Sequence, residues 1–132
     1  MTRQHLARVA ILVPDYEAGL AFYNGALGFA VEEDTDLGAG KRWVVLAPPG
    51  ASPTDARILL ARAVGKDQRS VVGKQAGGRV GLFLHTDDFA SDHARLLERG
   101  VVFEEEPRDE PYGRVAVFRD PFGNRWDLLQ PS

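Results

Sequence analysis

Three side chains of this sequence, Arg8, His85 and Asp127, are of types that can do chemistry. Imidazoles ordinarily titrate near neutral pH, so His85 is a candidate general base for a ligand proton within hydrogen-bonding distance. A strand histidine is also commonly a structural hydrogen-bonding residue, and both roles stay open. Arg8 carries a planar guanidinium that can bind a carboxylate or phosphate through paired hydrogen bonds. Asp127 offers a carboxylate, while the absence of cysteine excludes thiolate nucleophiles and thiolate metal ligands.

The composition is that of a soluble globular protein. The chain has 132 residues, of which 44% are hydrophobic and 27% charged, the size of a single domain. A formal charge of -3 without a basic block predicts neither nucleic-acid nor membrane-surface binding. The sequence shows neither an apolar run of about 18 residues nor a secretory leader, so we expect a cytoplasmic protein.

Sequence periodicity places the candidate residues on strands of a duplicated unit. Residues 6–13 alternate as a strand, Asp15 is a plausible helix cap, and an amphipathic helix then ends at Gly28. The same order recurs from residue 79, where Asp88 and Gly100 match Asp15 and Gly28 at offsets of 73 and 72. Further strands are predicted at 29–34, 42–47, 57–62, 79–86, 101–105, 114–119 and 124–130.

The repeat predicts one α+β domain, 1–132, made of two βαβββ modules. The first module spans 1–62 and the second 79–132, joined by a linker at 63–78 that contains at most one short helical turn. Each module is too small to bury its own sheet face. We therefore expect both modules to form one curved mixed sheet around a cleft that holds the functional site.

Two motif groups resemble the vicinal oxygen chelate superfamily, which includes glyoxalase I, extradiol dioxygenases and bleomycin-resistance proteins. The motifs are V-P-D followed by AFYNGALGF in the first module, and T-D-D with DPFGNRWDLLQ in the second. The resemblance implies paired βαβββ modules around a cleft and a homodimer. It also implies that catalytic members bind a divalent metal in the cleft, whereas bleomycin-resistance members bind a drug there without metal.

By the same resemblance, the superfamily's four metal-ligand positions are occupied here by Arg8, Leu59, Gly81 and Asp127. Only Asp127 can donate a ligand atom to a divalent metal, and a permanent cation at Arg8 repels one. We therefore expect no metal cofactor. A shifted divalent-metal site, using His85, Asp127 and a glutamate, is the alternative.

Seven residues are candidates for ligand binding in the cleft: Arg8, Trp43, Phe83, His85, Tyr112, Arg114 and Asp127. Arg8 either pairs with Asp127 in a structural ion pair or anchors an acidic group of a ligand. Trp43 and Tyr112 either line the mouth of a small-molecule pocket or pack in the core or a dimer contact.

The leading functional hypothesis is non-catalytic binding of a small, partly aromatic or anionic molecule in a metal-free cleft. The alternatives are a superfamily enzyme of the lyase, isomerase or dioxygenase-like type, with a shifted metal or with His85 as base, and an interaction subunit with a vestigial cleft. The expected partners are a small-molecule ligand and a second copy of the chain.

Overall fold

The computed structural model describes all of residues 1–132, which divide into two compact units, Met1–Val72 and Gly73–Ser132. The division falls inside the segment 63–78. The first unit contains strands β1 (Arg8–Val13), β2 (Ala30–Gly38), β3 (Lys41–Ala47) and β4 (Arg57–Arg62), with helix α1 (Tyr16–Leu20), its π-helical extension Ala21–Ala26, and the short helix α2 (Gly65–Ser70). The helical turn expected in the linker is thus α2.

The first unit has a four-stranded sheet in the order β1-β4-β3-β2, with β1 parallel to β4 and the other pairs antiparallel. Asp15 caps α1 as expected, since its carboxylate accepts a hydrogen bond of 2.8 Å from the Ala18 amide. Helical spacing predicts a buried stripe of Tyr16, Leu20, Tyr23 and Leu27; Tyr16, Tyr23 and Leu27 are buried, whereas Leu20 is partly exposed.

Gly19 explains how closely α1 lies on the sheet. A Cβ at this position would be 2.9 Å from Leu60 Cδ1 and 3.0 Å from Val13 Cγ1. Glycine in a helix costs about 1 kcal/mol relative to alanine. Here the missing side chain allows the helix to approach β1 and β4, so that Val13 and Leu60 fall on the helix-covered face.

The second unit contains β5 (Val80–His85), α3 (Phe89–Glu98), β6 (Val102–Phe103), β7 (Arg108–Glu110), β8 (Gly113–Arg119) and β9 (Arg125–Pro131). Its sheet has the order β5-β9-β8-β6, with β7 also paired to β8. Asp88 caps α3 by accepting a hydrogen bond of 3.1 Å from the Ser91 amide. A row of rings, Phe103, Phe118 and Trp126, fills the core on the α3 side, where Phe103 also contacts His93 of the helix.

The α+β fold with two repeated modules is confirmed, while the strand pairing differs from the expectation in two respects. Backbone hydrogen bonds divide the strands into two sheets, one in each unit, rather than one continuous sheet. The segment predicted as a strand at 101–105 forms only the short β6, and Arg108–Glu110 adds a strand that was not predicted. That short charged segment lacks the apolar alternation on which strand prediction depends.

No helix of the structure combines the length and the apolar character that crossing a membrane requires.

Candidate functional site

In the first unit, the sheet face opposite α1 carries the candidate residues Arg8 and Trp43. Since Val13 and Leu60 point to the helix, strand alternation places Arg8, Ala10 and Leu59 on the other face. Arg8 and Ala10 are exposed there, and Ala10 lies in register with the partly buried Leu59. This face therefore presents a small apolar surface with two guanidiniums, those of Arg8 and its register partner Arg57, at its end.

Arg8 stacks on the indole of Trp43. Its guanidinium carbon lies 5.4 Å from the ring centroid, within the range of a cation–π contact. The indole Nε1 donates a hydrogen bond of 3.1 Å to the Glu33 carboxylate, which fixes the orientation of the ring. The result is a row of Glu33, Trp43 and Arg8 that crosses the sheet from β2 to β1 and passes over β4.

The guanidiniums of Arg42 and Arg57 in this sheet are engaged by carboxylates, while Arg62 Nε donates a hydrogen bond of 3.2 Å to the Gly40 carbonyl. Arg42 contacts Glu17 and Asp34 at 2.6 Å each, and Arg57 contacts Glu32 at 3.0 Å. These contacts lower the pKa of Asp34, chiefly through the hydrogen bond from Arg42. Arg8, in contrast, has no carboxylate partner within its unit, so its N–H groups are available for an acidic ligand.

In the second unit, the face opposite α3 brings Phe83, His85 and Asp127 together. Phe83 and His85 are exposed on β5, in register with Asp127 and Leu129 of the parallel neighbour β9. Gly81 is exposed on the same parity of β5 and contributes no side chain. The face thus combines an exposed ring, an exposed imidazole and a carboxylate.

Asp127 has an unusual environment. Its Oδ1 atom is buried without a hydrogen-bond partner, although the side chain as a whole is partly exposed. Burial is the main cause that raises the pKa of this carboxyl; the nearby Glu105 also raises it, and the Arg108 and Arg125 guanidiniums oppose the shift. Both effects favour the neutral acid over the ion.

The remaining two candidates, Tyr112 and Arg114, lie apart from this group. Tyr112 is half exposed, and its hydroxyl accepts a hydrogen bond of 3.3 Å from Arg108 Nη1. Arg114 lies on the opposite face of the sheet from Asp127, with its guanidinium 5.5 Å from the Phe89 ring centroid. The predicted ion pair between Arg8 and Asp127 stays a prediction.

Sequence reasoning missed Glu33 and Arg108, which hydrogen-bond Trp43 and Tyr112, and Glu105, which binds Arg108. Glu105 accepts hydrogen bonds from Arg108 Nε and from the Val117 amide, at 3.2 and 3.0 Å. The spacing of Glu105, Arg108 and Glu110 is a local charge alternation that could have indicated this cluster. Glu33 offers no such signal, because only the pairing of β2 with β3 places it beside Trp43.

The donor set does not fit the divalent metal that the superfamily's catalytic members bind. Leu59 has an aliphatic side chain, Gly81 has none, and Arg8 is cationic, which leaves Asp127 as the single donor. No three His, Asp or Glu side chains are gathered elsewhere in an arrangement that could hold a metal ion. No step of a mechanism is therefore assigned to a metal.

Comparison with known proteins finds relatives over almost the full length. An uncharacterized protein of Shewanella frigidimarina (strain NCIMB 400) is 46% identical over 129 residues, covering 97% of this chain and 94% of the relative. The crystal structure of TnmS3, an antibiotic binding protein from Streptomyces sp. CB03234, is 36% identical with a TM-score of 0.78, covering 100% of this chain and 99% of that one.

A Glyoxalase/bleomycin resistance protein/dioxygenase superfamily member from Sphaerobacter thermophilus is 32% identical with a TM-score of 0.78, covering 97% of this chain and 98% of that one. The family model described as Glyoxalase/Bleomycin resistance protein/Dioxygenase superfamily matches residues 5–128. The resemblance to the vicinal oxygen chelate superfamily is thereby confirmed. Because this match spans nearly the whole chain, the protein belongs to the Glyoxalase/Bleomycin resistance protein/Dioxygenase superfamily.

Proposed function

We propose that this protein binds a small, partly aromatic or anionic molecule in a metal-free cleft, without catalysing a reaction on it. The observation that carries the proposal is the stacking of Arg8 on Trp43, 5.4 Å from the ring centroid, at a position where metal-binding superfamily members carry a ligand. The 36% identity to an antibiotic binding protein supports the same class of function.

The stacked geometry favours recognition of an acidic group. A guanidinium held over an indole still has N–H groups at its edge, where a carboxylate or phosphate can accept two parallel hydrogen bonds. The hydrogen bond from Trp43 to Glu33 holds the ring still, so less side-chain entropy is lost on binding. Ala10 and Leu59 supply the adjoining apolar surface for a ring or chain of the ligand.

A ligand screen with matched variants tests this proposal. Metabolites and antibiotics are screened by thermal shift, and hits are measured by calorimetry against the wild type, Arg8→Ala and Arg8→Lys. We expect Arg8→Ala to weaken binding of an acidic hit about 10- to 100-fold, since a hydrogen bond to a charged group contributes about 1.5–3 kcal/mol. Arg8→Lys keeps the charge but loses the planar fork and should recover only part of the affinity.

Arg69→Ala is the matched control, because it removes an exposed guanidinium on α2. The affinity of Arg69→Ala for an acidic hit should equal that of the wild type. Failure of every compound to bind, or unchanged affinity in Arg8→Ala, contradicts the proposal. Metal analysis of protein purified without chelator separates binding from metal catalysis: stoichiometric metal that is lost in Asp127→Asn would favour the enzyme alternative.

A homodimer is the second part of the proposal. The resemblance to the superfamily supports this part of the proposal, because singly exposed apolar side chains such as Val9 at 44%, Val31 at 40% and Val102 at 53% of their surface are also normal on monomers. Light scattering coupled to size-exclusion chromatography should give twice the chain mass of 14.5 kDa. A monomer at micromolar concentration would contradict this part and leave ligand binding open.

A further inference from the structure

We infer that Asp127 anchors a protonated amine of the bound molecule, with the Phe83 ring as the apolar surface beside it. This inference rests on the proposed binding function and names the chemical class of one ligand group. It concerns the second unit by itself, and three observations carry it: an unpartnered carboxylate oxygen, two arginines bound elsewhere, and an exposed ring in register.

The first observation is the buried Oδ1 atom of Asp127, which has no hydrogen-bond partner. Buried polar atoms in native proteins are almost always paired, and one without a partner costs about 1–3 kcal/mol. The rest of the side chain reaches the surface of the sheet. Since Oδ1 itself is buried, a donor that arrives with a ligand would meet the carboxylate from this exposed side.

The second observation is that both nearby arginines are bound to other groups. Arg108 contacts Glu110 at 2.7 Å and Glu105 at 3.2 Å, while Arg125 contacts Glu104 at 2.8 Å and donates to the Gly78 carbonyl. Neither guanidinium forms an ion pair with Asp127. The competing glutamates therefore prevent a structural ion pair between Asp127 and either arginine.

No ion pair neutralises the charge of Asp127 itself. Arg108 is paired with Glu105 and Glu110, and Arg125 is paired with Glu104. A protonated amine would gain a charge-assisted hydrogen bond to the Asp127 carboxylate.

The third observation is the exposure of Phe83, since 63% of the surface of this residue is accessible to solvent. Phe83 lies in register with Asp127 on the neighbouring parallel strand, so both side chains stand on one face, about 5 Å apart at the backbone. An exposed aromatic ring beside a carboxylate offers apolar contact to a ligand ring and a favourable face to a cation. The pair therefore matches an arylalkylamine group.

Two small probes that differ only in charge test the inference on the full chain. Phenethylamine and phenethyl alcohol are titrated into isotope-labelled protein, and their dissociation constants are taken from amide chemical shifts of β5, β8 and β9. We expect the amine to bind about 10- to 100-fold more tightly than the alcohol, the ratio expected of a charge-assisted hydrogen bond. Asp127→Asn should abolish this preference.

Thermal unfolding distinguishes a binding role from a structural one. A structural Asp127 would lose stability on replacement, whereas removing an unsatisfied buried charge should leave the melting temperature of Asp127→Asn equal or higher. Asp109→Asn is the matched control, because it removes an exposed carboxylate of β7 and should keep the preference for the amine. Phe83→Ala should weaken both probes through the lost apolar contact, and the amine more than the alcohol because the amine also loses the cation–π contact.

Three results would overturn the inference: equal affinity for the two probes, an unchanged preference in Asp127→Asn, or an equal loss in Asp109→Asn. Absence of binding by both probes at millimolar concentration would also overturn it. The proposed function fails separately, when the metabolite and antibiotic screen finds no ligand or when Arg8→Ala leaves the affinity of a hit unchanged. A hit that binds the wild type and Asp127→Asn with equal affinity would support the binding function and contradict the role of Asp127 as the amine anchor.

Discussion

Replacing Gly73 by alanine should destabilise the second unit more than any ordinary surface change. Gly73 is buried with φ of +76°, and a Cβ there would lie 1.7 Å from the Phe122 carbonyl oxygen and 2.5 Å from its carbon. The obstacle is backbone, so no side-chain rotation removes the clash. Either the Gly73 segment or the turn at Phe122 has to move.

The turn cannot move cheaply, because the buried Asp120 holds it. Its Oδ1 accepts hydrogen bonds from the amides of Phe122, Gly123 and Asn124 at 3.0, 2.9 and 2.8 Å. Its Oδ2 accepts a further bond of 2.7 Å from the Asn124 side chain. Displacing Phe122 would strain this set of bonds, and the same turn sets the start of β9, which carries Asp127.

The expected cost has two parts. The left-handed backbone conformation costs about 1–2 kcal/mol for a residue with a Cβ. Forcing atoms into a packed site costs about 1–3 kcal/mol more. The sum, about 2–5 kcal/mol, lowers the melting temperature by roughly 10 °C or more in a domain of this size.

Gly77→Ala is the matched control, since Gly77 also has positive φ, +64°, but no atom within 4 Å of an added Cβ. Chemical denaturation of both variants, with calorimetry for the melting temperature, isolates the clash from the backbone strain. We expect Gly73→Ala to lose at least about 1 kcal/mol more than Gly77→Ala. Equal losses in the two variants would refute the packing argument.

Three further predictions concern pH and packing. Because the folded-state pKa of Asp127 is raised, stability declines as pH rises from the unfolded-state pKa through the folded one, and melting curves of Asp127→Asn should lack that decline. The folded-state pKa of Asp34 is lowered by Arg42, so stability is lost as pH falls through it; Arg42→Gln should flatten this acid limb, and an unchanged limb would contradict the assignment. Gly25→Ala should stabilise the protein by about 0.5–1 kcal/mol, because the nearest atom to an added Cβ lies 4.0 Å away. Gly19→Ala should destabilise it, because an added Cβ would lie 2.9 Å from Leu60 Cδ1. Stabilisation by both substitutions in urea titrations would show that the Leu60 side chain moves aside at little cost.

Local residue chemistry determined much of this protein from its sequence. Asp15 and Asp88 cap helices because a short carboxylate reaches the free amides of a first turn, wherever the helix lies in the molecule. The helical spacing of Tyr16, Leu20, Tyr23 and Leu27 likewise predicts a stripe that is buried except at the partly exposed Leu20. The offset between the two modules then indicates the duplicated fold, and the residue types at Arg8, Leu59 and Gly81 already argue against a metal.

Only the tertiary structure decided which charges are paired and which are not. Arg108 and Arg125 both lie near Asp127, yet their hydrogen bonds go to glutamates, and this choice depends on competition among several partners at distances that no spacing rule encodes. Nothing in the sequence distinguishes Gly73 from other glycines. The structure shows that a glycine is required there, because the Phe122 carbonyl occupies the place that a Cβ would take. Caps and stripes depend on neighbours within a few residues, whereas an unpaired carboxylate depends on segments far apart in the chain that folding brings together.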